Sequence, residues 1–170
     1  MTTSTVTTRT RVISGVLIAI AIAIAVAAFA ITSWFDNPTR VESIAERGAT
    51  VMPFDLESTT HRFDPKSDGG IQHVVADDPT DQMQVRLVQE HLREEAEAFA
   101  RGEFDDPAQI HGADMPGLDT LEEGSDRIDI SYERQADGAS ITYATSEPEL
   151  VTALHEWFAA QTSDHGEQAE

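Results

Sequence analysis

An α+β domain behind a single membrane-spanning helix is the architecture this sequence predicts, on three observations. Residues 12–32 form an uncharged apolar run long enough for a bilayer core. Beyond it, one order of signals occurs twice: an alternating strand, a glycine turn, a second strand and a proline-headed helix. No cysteine is present, so the stability of the folded part has to come from packed apolar faces and not from disulfides. Two strand-strand-helix units in series (ββαββα) bury those faces most simply as a two-layer sandwich, an antiparallel sheet with its helices on one face.

The apolar run sets the expected topology. At ~1.5 Å per helical residue it is about 31 Å long. Arg9 and Arg11 precede it, the first acid is Asp36, and Trp34 and Phe35 follow at the depth where aromatic rings favour the interface. These features predict a single-pass signal anchor in the cell membrane, the N-terminus cytoplasmic and the C-terminal domain outside. Ala28-Phe29-Ala30 offers an alternative, cleavage after Ala30, but the run exceeds the roughly 7–15 residues of a secretory apolar region. The chain then divides into a cytoplasmic tail (1–11), the span (12–32), a juxtamembrane linker (33–52) and an extracytoplasmic domain (53–170). Within the linker, Asn37 as cap, Pro38 at the first position and Gly48 as terminator predict a short helix with Val41, Ile44 and Ala45 as its apolar stripe.

All 31 acidic residues lie beyond Phe35, and the formal net charge is −20. A field of that sign repels phosphates, which excludes nucleic acid as a partner, and draws cations. The absence of cysteine also removes thiolate metal sites and thiol nucleophiles. Asn37, the only asparagine, precedes Pro38 and is no glycosylation acceptor.

Each unit of the repeat has its own signals. Asp68-Gly69-Gly70 marks one hairpin and Asp137-Gly138-Ala139 the other, with Pro79 and Pro148 each ten residues past the glycine at 69 or 138. Ile128, Ile130 and Tyr132 alternate on one strand, Ile141 and Tyr143 on its partner. In the first unit Phe54 and Leu56 keep one phase and Phe63 breaks it, while Ile71, Val74 and Val75 leave the face of the second strand open. The first helix is expected from Pro79, capped by Asp77 or Asp78, to about Arg101, with Val85, Val88, Leu92, Ala96 and Phe99 inward. The second is expected from Pro148 to about Thr162, with Val151, Leu154 and Phe158 inward. The stretch 103–126 reads as irregular except for a short helix through Leu118 and Leu121 that stops at Gly124.

Pro53-Phe54-Asp55-Leu56, Thr60-His61, His91-Leu92, Ile110-His111-Gly112, Met115-Pro116-Gly117-Leu118, Ala153-Leu154-His155, Trp157-Phe158 and Asp164-His165-Gly166 together resemble an uncharacterised bacterial domain family over residues 52–170. Similar proteins sometimes carry an aspartate carbamoyltransferase label. The catalytic domain of that enzyme is far larger than this stretch, and the resemblance implies no activity. It implies that the folded module begins near Met52.

The six histidines are the residues that raise a site hypothesis. His91 and His155 fall at the edges of their helices' apolar stripes, His111 and Met115 flank Asp114 in the irregular stretch, and His165 lies beside Asp164. If that stretch folds over the helices, His91, His111, His155 and His165 converge. Imidazoles with a carboxylate from Asp114 or Asp164 suit zinc or copper(II), and Met115 would shift preference toward copper(I). None of the spacings is a metal motif, and nucleophile-elbow, phosphate-loop and calcium-loop patterns are absent. Composition and fold together fit a membrane-anchored extracytoplasmic binding or interaction module with an envelope protein as partner. The alternatives are a zinc- or copper-binding module for trafficking or sensing, and a hydrolase or transferase with a histidine base.

Overall fold

The computed structural model describes residues 38–165, and Thr39 to Glu170 clusters as one compact unit. The chain begins with helix α1 (Pro38–Val51) and a 3-10 turn (Leu56–Ser58), followed by the hairpin β1 (Thr59–Lys66) and β2 (Gly69–Ala76). Helix α2 (Gln82–Phe99), two short helices α3 (Asp105–His111) and α4 (Leu118–Gly124), and a second 3-10 turn (Ser125–Arg127) lead to the hairpin β3 (Asp129–Arg134) and β4 (Gly138–Ala144). Helix α5 (Pro148–His165) closes the described part. The four strands form one antiparallel sheet in the order β1-β2-β4-β3, so the second strands of the two hairpins meet at its centre.

Register places His61, Val74 and Ala139 in one row, and Phe63, Gln72, Ile141 and Tyr132 in the next. The side chains of these rows face α2 and α5, and the interior between the layers is dominated by Trp157. Phe99 of α2, Phe104 and Tyr143 of β4 all meet its indole edge-to-face, with ring centroids 5.8 to 5.9 Å apart. Gly70 on β2 lets α5 lie close to the sheet, because a Cβ there would collide with the Phe158 ring. That close approach carries the last turn of α5 over β1.

Several sequence expectations are corrected. Among the described residues no helix is long and apolar enough to cross a membrane. The helices described are amphipathic, and the expected span 12–32 lies outside the described residues. The membrane-spanning part of the fold, and the signal anchor and single-pass cell-membrane location built on it, are corrected on that ground. Gly48 does not stop α1: it is buried inside a helix that runs on to Val51, and it faces Leu56, whose Cδ1 would lie 2.8 Å from a Cβ at that position. Helix α2 starts three residues later than Pro79 suggests, because Asp81 supplies the cap and accepts from the backbone N–H groups of Met83 and Gln84. Asp78 instead closes its own turn by accepting from Thr80. Helix α5 continues past Thr162 to His165, and 103–126 contains α3 as well as the expected α4.

Gly117 shows how that long connection is held down. It caps α4 in the left-handed region at φ +81°, and a Cβ on it would strike the Ala153 carbonyl of α5. Gly117→Ala is expected to destabilise the fold by about 2 kcal/mol, from backbone strain and displacement of α4 from α5. Urea unfolding measures this; a change below about 0.5 kcal/mol would show that the contact does not constrain the connection.

Candidate functional site

Four histidines from four elements line one enclosed cavity of ≈ 20 Å³ between sheet and helices: His61 from β1, His91 from α2, His111 from α3 and His165 from α5. All four are buried. The His61 and His165 rings stack with centroids 4.8 Å apart, His111 meets His165 edge-on at 5.1 Å, and Phe54 stands between His61 and His91. Burial is the main cause that lowers the imidazole pKa of His61 well below its ordinary value, and the neighbouring His165, His91 and His111 add to it. His165 is brought down to about 4 by burial and by His111, against the pull of Asp164. His91 is lowered by burial despite Asp106 and Glu94 nearby. At neutral pH these three rings are therefore uncharged.

A charged relay stands behind the cluster. Asp164 accepts from Nδ1 of His111 at 3.0 Å and from Nε and Nη2 of Arg40 at 2.8 Å each. Burial pulls the Asp164 carboxyl upward, but the hydrogen bonds from His111 and Arg40 outweigh it and hold the group below the usual range. An ionised carboxylate only accepts, so Nδ1 of His111 is the donor in this hydrogen bond. Arg40 and Arg47 of α1 also donate to the carbonyls of His111 and Ile110, which ties α1 to the end of α3.

On its outer side the cavity shares His91 and Glu95 with a solvent-open one of ≈ 280 Å³, to which α3 contributes Asp105 and Asp106. Here one ligand atom from each of His91, Glu95 and Asp106 lies within 4.8 Å of the others. His91 and Glu95 stand one turn apart on α2 and so present the same face. Burial pushes the Glu95 carboxyl up to about 8, helped by the charge of Asp106, a hydrogen bond with it, and the charge of Glu94.

Of the residues singled out in the sequence, His91, His111 and His165 meet at the enclosed cavity, with Asp164 immediately behind. His155 lies elsewhere, its Nε2 3.0 Å from the carbonyls of Lys66 and Gly69 at the β1–β2 turn. Met115 is buried in the apolar core and Asp114 is exposed. His61, one of the six histidines but outside the expected ligand set, also lies here, and Glu95, Asp106 and Arg40 are additions to that set. The four-residue spacing of His91 and Glu95 was a usable signal, whereas Asp106 was hidden among many acids. The segments Thr60-His61, His91-Leu92, Ile110-His111 and Asp164-His165 all reach this site.

Comparison with protein-family models, with curated proteins and with solved structures finds no match to this chain.

The buried imidazoles predict acid sensitivity with a defined sign. In the unfolded chain they protonate below about pH 6.5, whereas His165 in the folded chain does so only near 4. Between those values the unfolded state binds more protons, so stability falls as pH falls. Thermal unfolding should show Tm dropping between about pH 7 and about pH 4.5, and His165→Phe, which keeps an aromatic ring in the stack, should flatten the drop. An identical pH profile in the variant would exclude His165 as a contributor.

Proposed function

We propose that the domain binds a divalent transition metal, zinc(II) or copper(II), through His91, Glu95 and Asp106. The mutual approach of their ligand atoms, within 4.8 Å across two helices, is the observation that carries this reading. At the ~2.1 Å bonds of a tetrahedral site, ligand atoms stand about 3.4 Å apart, so metal binding requires the three side chains to draw together. One imidazole and two carboxylates match the donor preference of zinc and copper(II), and three protein ligands leave a coordination position for an exogenous molecule. With Met115 in the core, thioether ligation and the copper(I) preference it would bring fall away. The site also has an electrostatic need for a cation: two carboxyl groups share a partly buried space in a chain of net charge −20.

This reading replaces the ligand set expected from sequence: His91 is kept, His155 is dropped, and His111 and His165 stand behind the metal position. It also differs from a pure interaction module, which gives no reason for an imidazole and two carboxyls to converge.

Titration of the full, untagged chain with zinc(II), followed by calorimetry and metal analysis, is expected to give one ion per chain. His91→Ala should weaken binding by at least ~100-fold, since even outer-shell partners of a metal ligand are worth about 10–100-fold. His155→Ala should leave it unchanged. Because Glu95 holds its proton up to about pH 8, the metal has to displace it, so affinity should rise by up to about tenfold per pH unit toward pH 8 and then level. Weak binding at several ions per chain, insensitive to His91→Ala, would reduce the site to the general acidity of the surface.

A further inference from the structure

Two buried polar atoms at the enclosed cavity have no hydrogen-bond partner among the described residues: Nε1 of Trp157 and Nδ1 of His61. Trp157 is 0% exposed and His61 3%, so bulk water serves neither. Both residues line the ≈ 20 Å³ cavity, together with His111, His165, Gln161 and Gln72. In an interior where nearly every buried donor is matched, two orphans bordering one cavity point to a shared partner.

The size and hydrogen-bonding polarity of that partner follow from the residues. The volume exceeds the roughly 10–15 Å³ that one water needs and leaves no room for an organic group. The indole N–H only donates, so the occupant must accept from Trp157. His61 Nδ1 suits either role.

We infer that this cavity is a specific site for one molecule of water size, which accepts from Trp157 Nε1–H and hydrogen-bonds Nδ1 of His61. In the resting protein that molecule is water. The inference stands without the metal reading, although His91 and Glu95 border both cavities.

The test is nuclear magnetic resonance on the ¹⁵N-labelled full chain with chelator present, so that its result is independent of metal binding. The chain has two tryptophans, and Trp34→Phe assigns the Trp157 indole signal. The expected result is an indole N–H shifted downfield and cross-relaxing with a long-lived water. Adding azide should leave that signal in place. An indole N–H at the free-indole position, or a hydrogen-bonded one with no water contact, would each overturn the site. A saturable azide shift of the Trp157 signal would overturn the assignment of the occupant as water.

Discussion

Asp164 is a carboxylate in an unfavourable place, and three elements are arranged around it. It is buried, which costs solvation, and it lies in the last turn of α5, where the helix dipole disfavours negative charge. Both costs are offset by partners that come from elsewhere in the chain. Arg40 reaches over from α1 with two hydrogen bonds, and His111 adds one from the end of α3. The carboxylate thus determines where α1 and α3 can sit. Without Arg40, Asp164 would be a half-compensated buried charge, which explains why a helix expected as a spacer is packed into the domain.

Four imidazoles at a sheet-helix interface are a poor way to build a stable core. Each buries nitrogen atoms that an aliphatic residue would not have, and each has its basicity lowered by burial or left to a partner on the far side. Around them the packing is conventional, with Phe99, Phe104 and Tyr143 each edge-to-face on Trp157 and Tyr143 satisfying its hydroxyl on Gln72. The departures from that pattern are therefore concentrated in one region, at His61, His91, His111, His165, Glu95 and the unpartnered Trp157 Nε1. Positions where local rules are broken together are those where function competes with stability.

Much of this fold was legible in the sequence because its punctuation is local. Hairpin glycines and helix-heading prolines specify their elements within a few residues, so the strand-strand-helix order could be read twice. The phase break at Phe63 came from reading one strand where there are two elements. The 3-10 turn Leu56–Ser58 resets the alternation, and from Thr59 onward Thr59, His61 and Phe63 are in phase and buried. Missing that turn hid His61 as an inward residue. Helix α3 escaped because seven residues, two of them acids, carry too little periodicity, and with it went Asp106. Helical periodicity fixes a residue's face but not its height, and nearly three turns of α5 separate His155, at the hairpin end of the sheet, from His165 in the cluster.

The two halves of the site are not independent structures. Helix α3 is only seven residues long; it carries Asp106 in its first turn, toward the open cavity, and His111 at its end, against Asp164. The five residue steps from one to the other span about 7.5 Å of helix, too short for one end to move while the other stays. Helix α2 provides the other shared wall, with His91 and Glu95 bordering both cavities. A cation that drew Asp106 toward α2 would pull on the same rigid segment that Arg40 and Arg47 grip through the carbonyls of His111 and Ile110. The outer carboxyl cluster, the inner imidazoles and helix α1 are thus linked in series through one short helix, and the geometry of each is conditional on the others.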